Sequence, residues 1–132
     1  MNEKKLIALG LTFTTLGIIL GAMGAHYLET LGIEPEQIKS FVTGTTYMFY
    51  NGIGALALAG INNKFDFDMN TQYRFIMYGA ILFSGSIFGL VLLPQLGINI
   101  SRVLGPITPI GGFMLIIGWG SLLARYLATY KK

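Results

Sequence analysis

Few side chains in this chain can do chemistry, and most of them lie inside or beside long apolar runs. Asn51 and Tyr47 share a run with Gly44, Gly54 and Leu58 on one side, and with Thr43, Thr46 and Tyr50 on the adjoining side. Ser84 and Ser86 lie in a later run, Thr108 stands between Pro106 and Pro109, and His26 and Arg102 stand at apolar edges. An amide in hydrocarbon must find a partner, so Asn51 is expected to face protein. One reading is a hydrogen bond between helices, worth about 0.6–2 kcal/mol. The other is contact with a substrate or ion.

An enzyme needs a nucleophile, a general acid or a metal, with partners in reach. All six carboxylates fall in the tail or connections, and Ser84 and Ser86 have no base on their own run. His26 with Glu29 at an interface could act on a lipid headgroup; the alternative is a structural hydrogen-bonding role. The chain has no cysteine and one histidine, which excludes thiol chemistry and multi-histidine metal sites. The reading is therefore no enzyme, no cofactor and no metal. Coupled transport needs an ionisable group within a span, and none lies in 6–25, 42–61, 75–93 or 106–124. A neutral pore built by an oligomer from Thr43, Thr46, Tyr47, Asn51, Ser84 and Ser86 is the alternative function.

The elements that must position these groups follow from composition. Hydrophobic residues make up 53% of the 132 and charged residues 11%, against about 25% charged in a soluble domain. The apolar residues come in blocks of the roughly 20 residues that cross a bilayer. The basic residues are scattered at run ends, so no nucleic-acid surface is expected. The chain reads as all-α, one polytopic membrane domain over 1–132, with four transmembrane helices at about 5–26, 35–61, 73–93 and 105–126 in an antiparallel bundle. A basic start before an apolar run also suits a secretory signal. This run is long for one, and Met23 would sit where cleavage wants a small residue, so a retained helix is expected.

Pro35 followed by Glu36 and Gln37 is a good helix start, and 62–72 reads as a solvent loop. Pro94 to Leu104 reads as an interfacial connection, with Pro106 in the first turn of the last helix and Pro109 as a bend inside it. Gly17, Gly21 and Gly24, with Gly10 and Thr14, fall in one narrow sector of the first helix. Gly17 to Gly21 and Gly85 to Gly89 have the spacing that lets helices approach closely in lipid, and Gly112 is assigned to packing with them. Lys4, Lys5, Lys64, Arg74, Arg125, Lys131 and Lys132 fall on one side and only Lys39 and Arg102 on the other. Positive residues favour the cytoplasm, so both termini are expected there, in a cell membrane taken as bacterial. Arg102, next to a helix start, either holds a lipid phosphate or snorkels to headgroups.

Four motifs, in order along the chain, carry a resemblance. Gly21-Ala22-Met23-Gly24-Ala25-His26 resembles the GAFGAH signature of the domain of unknown function 423 family, which also covers the eukaryotic transmembrane protein 256. Phe41-Val42-Thr43-Gly44 with Tyr47 resembles the start of that family's second helix. Leu82-Phe83-Ser84-Gly85-Ser86 resembles its LFSGS, and Gly105-Pro106-Ile107-Thr108-Pro109-Ile110-Gly111-Gly112 its GPITPIGG, followed by Gly118-Trp119. Asn51 stands where the family usually has a histidine, which puts proton transfer at that point in doubt. The resemblance implies a small four-helix membrane protein and brings no established reaction. Together these readings give a non-catalytic accessory, assembly or lipid-interacting protein. The expected partners are membrane lipids and either a second copy or a larger membrane protein. The candidate polar site is His26, Tyr47, Asn51, Ser84, Ser86, Arg102 and Thr108.

Overall fold

A computed structural model describes residues 3–130, which are helical and contain no strand. Four long helices dominate: α1 (Glu3–Thr30), α2 (Pro35–Gly60), α3 (Asn70–Leu92) and α4 (Ser101–Tyr130). Three are long and apolar enough to cross a membrane: α1, α3 with the short turn that extends it to Leu96, and α4. α2 is comparably long but is not among them, because it carries Glu36, Lys39, three threonines and Asn51. Its hydroxyls donate back to their own helix, Thr45 and Thr46 both to the Val42 carbonyl at 2.8 Å. That lowers the cost of holding them away from water.

Local chemistry explains the helix ends. Pro35 occupies the first turn of α2, and Gln37 and Ile38 donate to the Glu34 carbonyl at 3.0 and 3.1 Å. α1 runs past the expected end at 26. It passes through a π-turn at Met23–Tyr27 and stops where Gly32 takes a φ of 73°. There Ile33 donates to Leu28 and Gly32 to Glu29, and the buried Ile33 and Leu28 side chains complete the stop. Gly97, at φ 76°, ends the extension of α3 in the same way, with Ile98 donating to Leu93 and Gly97 to Pro94.

The start of α4 differs from expectation. The helix opens at Ser101, so Pro106 and Pro109 both lie inside it rather than at its mouth. Asn99 Oδ1 accepts from the Ser101 N–H at 3.2 Å and from its hydroxyl at 2.9 Å, and Val103 and Leu104 both donate to the Ile100 carbonyl. This capping lets the helix begin before the prolines, which membrane helices tolerate where neighbours pack against them. The 62–72 segment is also more ordered than a solvent loop. Phe65 and Phe67 are half-buried and Met69 is buried. Arg125 lies 4.2 Å over the Phe67 ring and donates to the Asp68 carbonyl at 3.1 Å. α3 then starts at Asn70, three residues earlier than expected.

The helices pack in sequence order, α1 on α2, α2 on α3 and α3 on α4; α1 and α4 share at most marginal contact. The helices thus form a row in which α2 and α3 are the inner helices. α4 shows why, because its buried residues form one narrow stripe, Gly111, Leu115, Gly118 and Leu122.

Lipid supplies no hydrophobic force between helices, so close packing must hold them. Along α1, Gly10, Gly17 and Gly24 recur every seven residues. A Cβ there would stand 2.5 Å from Leu56 Cγ, 3.2 Å from the Phe49 ring and 2.9 Å from Phe41 Cδ1 respectively. Gly21, expected in this seam, has only an ordinary 4.0 Å approach to Phe49. Between α3 and α4 the backbones themselves meet. A Cβ on Gly111 would collide with the Phe83 backbone nitrogen and stand 2.8 Å from the Gly79 carbonyl oxygen, and one on Gly118 would stand 3.1 Å from the Ile76 nitrogen. Gly112, assigned to packing from sequence, meets Phe83 at a comfortable 3.5 Å, and Gly89 meets only the flexible end of Leu104, at 2.8 Å. Gly85 has open space around it, so it is not a packing glycine; the spacing to Gly89 does not reveal which face meets a neighbour.

Backbone at Gly111 cannot yield as a side-chain tip can. Gly111→Ala is expected to lower unfolding free energy by about 1–3 kcal/mol, whereas Gly85→Ala changes it by less than about 0.5 kcal/mol. Denaturant titration in mild-detergent micelles measures both, and equal effects would refute this assignment of the seam.

Candidate functional site

The polar residues singled out from sequence form separate clamps, not one path. Ser84 is fully buried, and its Oγ donates to the Gly44 carbonyl at 2.8 Å, joining α3 to α2. Ser86, 4% exposed, lies 3.0 Å from the Phe83 carbonyl and 2.6 Å from Thr108 Oγ1, joining α3 to α4. Asn51, also 4% exposed, donates to the Tyr47 carbonyl at 2.7 Å and accepts from Trp119 Nε1 at 2.8 Å, joining α2 to α4. The indole reaches Asn51 because Gly54, one turn further along α2, has no side chain: a Cβ there would stand 2.7 Å from Trp119 Cη2. His26 and Arg102 are exposed, and neither lines a cavity with these residues.

Trp119 was not assigned to the site from its sequence position. Depth matching would have found it: α2 and α4 run in the same direction, Asn51 and Trp119 lie at similar distances from their helix starts, and an amide oxygen at that depth needs a donor.

Two separate hollows lie between α2 and α4, beside α3. The first holds about 740 Å3 and lies at the end where α4 begins. Ser40 and Thr43 of α2 and Ser101, Gly105 and Thr108 of α4 form its polar edge, and Ile87, Leu90 and Val91 of α3 its apolar floor. The second, about 500 Å3, continues inward between Tyr50 and Asn51 on one side and Leu115, Ile116 and Trp119 on the other. Tyr47 and Phe83, with ring centroids 5.1 Å apart, stand at the waist opposite Gly112. From Ser40 to Asn51 the groove follows roughly 16 Å of helix at 1.5 Å per residue. That length is about half the 30 Å thickness of a hydrocarbon core. Taken together as a groove, the first hollow is edged by hydroxyls and the second is mainly aromatic and aliphatic, with the Asn51 amide and the Tyr47 and Tyr50 hydroxyls among its lining. No charged side chain is among the residues lining either hollow.

Comparison with known proteins gives the chain its relatives. The family model described as "Protein of unknown function (DUF423)" matches residues 20–112. A UPF0382 membrane protein of Schizosaccharomyces pombe is 36% identical over 108 residues, 82% of this chain and 89% of that protein. Staphylococcal proteins of the same name match over 128 residues. That of Staphylococcus saprophyticus is 33% identical, covering 97% of this chain and 98% of its own, and one from Staphylococcus aureus is 37% identical, covering 97% of each. No solved structure matches.

The Asn51–Trp119 bond is testable as a pair. A double-mutant cycle of Asn51→Leu and Trp119→Phe should give a coupling of about 0.6–1.7 kcal/mol in unfolding free energy. Additivity of the two single changes would show that the bond does not join the helices.

Proposed function

Because the chain belongs to the DUF423 family, a family of unknown function whose relatives carry the name membrane protein, we propose its role from the groove. It is a non-catalytic protein that holds one membrane lipid between α2 and α4, head at the hydroxyl edge and chain along the aromatic hollow. The single observation that supports this is the succession of two hollows beside α3, hydroxyl-edged where α4 begins and mainly aromatic and aliphatic towards Trp119. Ser84 is spent on a carbonyl and Ser86 on Thr108, and no imidazole or carboxylate is among the lining residues.

In this reading α2 is a fourth span, its polar side chains sheltered by back-bonding and by its place between α1 and α3. Lys4, Lys5, Lys64, Arg74 and Arg125 belong to the end that holds the loop between α2 and α3, while Lys39 and Arg102 belong to the other. Lys131 and Lys132, counted with the first group, lie outside the described residues. The bias puts both termini in the cytoplasm and the hydroxyl edge in the outer leaflet.

Two measurements test the proposal. Native mass spectrometry from mild detergent is expected to retain one lipid mass on the wild-type chain, and to lose it when Gly112→Phe fills the waist beside Tyr47 and Phe83. Retention unchanged by that substitution would overturn the groove as the site. For orientation, the chain has no native cysteine, so Thr30→Cys and Asp66→Cys should label from opposite faces. Labelling of position 30 from the cytoplasm reverses the topology.

A further inference from the structure

The hydrogen-bonding state of the groove's edge narrows what the lipid head is. Every hydroxyl on that edge has already committed its proton. Ser40 donates to the Glu36 carbonyl at 3.2 Å, Thr43 to the Lys39 carbonyl at 3.1 Å and Ser101 to Asn99 Oδ1 at 2.9 Å. Thr108 and Ser86 share a 2.6 Å contact, and whichever of them donates in it, the other has a carbonyl to donate to, Phe83 for Ser86 at 3.0 Å or Leu104 for Thr108 at 3.5 Å. A hydroxyl whose proton is spent still offers lone pairs, so the four of these residues that line the hollow, Ser40, Thr43, Ser101 and Thr108, offer it acceptors.

The backbone adds a fifth. Gly105 has no side chain, so it lines the groove with main chain alone. The residue four further on, whose N–H would ordinarily take its carbonyl, is Pro109, which has none. Pro109, itself among the lining residues, thus withdraws the usual helix donor from the Gly105 carbonyl beside the hollow. Among the side chains with uncommitted donors, the edge offers only the amides of Gln37 and Asn99, and no lysine or arginine is among the lining residues.

An acceptor-rich, uncharged edge is the wrong surface for an anion and suits a head that brings its own donors. We infer that the groove selects an uncharged lipid with a hydroxylated head, a diacylglycerol or a glycosylated diacylglycerol, over an anionic phospholipid. This rests on the lipid-holding reading above and specifies its ligand class. Arg102 then has no part in selecting the head and is left to the membrane surface.

The full chain in nanodiscs carrying equal amounts of dioleoylglycerol, monoglucosyl-dioleoylglycerol and dioleoylphosphatidylglycerol, released into native mass spectrometry, tests this. The expected retained masses are the two hydroxyl-headed lipids, enriched about tenfold or more over the phosphatidylglycerol. Pro109→Ala restores a backbone donor for Gly105 and should cut that enrichment about three- to tenfold, the worth of one hydrogen bond, while leaving the fold intact because it removes a helix-interior proline. Thr43→Val should act in the same direction. A merely structural role for Pro109 predicts unchanged selectivity, and that result overturns the inference. Preferential retention of phosphatidylglycerol overturns it too but leaves lipid binding standing, whereas retention of no lipid at all removes the lipid-holding reading itself.

Discussion

The arrangement depends on how closely two backbones approach at Gly111. In lipid no hydrophobic force pushes helices together, so the interface must come from contact itself. At Gly111 the α4 main chain lies directly against Gly79, Leu82 and Phe83 of α3. That approach sets the rotation of α4. One turn before it, Thr108 meets Ser86; two turns after it, Trp119 swings towards Asn51. Between those points Gly112, Leu115 and Ile116 are left facing the hollow beside α2. A residue with a side chain at 111 would displace every one of these relations together.

The two seams differ in degree. α1 and α2 set Gly10 against the Gly52 backbone and interlock their other glycines with Phe41 and Phe49, while α3 and α4 set backbone on backbone at Gly79, Gly111 and Gly118. Each seam joins sequence neighbours into a hairpin. Between the hairpins the contact is less extensive, and it is fastened by Ser84 to Gly44 and by the indole of Trp119 to Asn51. α4 has only one packed stripe, so it cannot also close against α1. The space it leaves beside α2 becomes the groove.

Much of this was legible in the sequence, for physical reasons that also mark where reading stopped. The opening of α2 at Pro35 is encoded locally, as are the apolar blocks of α1, α3 and α4. The start of α4 is not, because Pro106 suits both a first turn and a packed helix interior. The choice was made by Asn99 capping Ser101, a contact that the proline pair masks. The tandem glycines 111 and 112 offer two faces about 100° apart, and only the neighbour decides which one packs. The spacing of Gly85 to Gly89 fits a seam, yet Gly85 faces open space. Asn51 announced its need for a partner, but the partner lies 68 residues away, and local pattern carries no such address. The hydroxyl edge was unreadable in the same way. Thr108 was visible as a polar residue among prolines, whereas its alignment with Ser40 and Thr43 exists only once three helices are packed.

The serial packing also bears on how the chain enters its bilayer. Because α1 meets α2 and α3 meets α4, each pair completes its glycine seam without waiting for later sequence. Contacts between chain neighbours form with little loop-closure cost. Each hairpin can then complete its own interface as soon as its second helix has formed. Only the last fastening, Trp119 reaching back to Asn51, waits until translation is nearly finished.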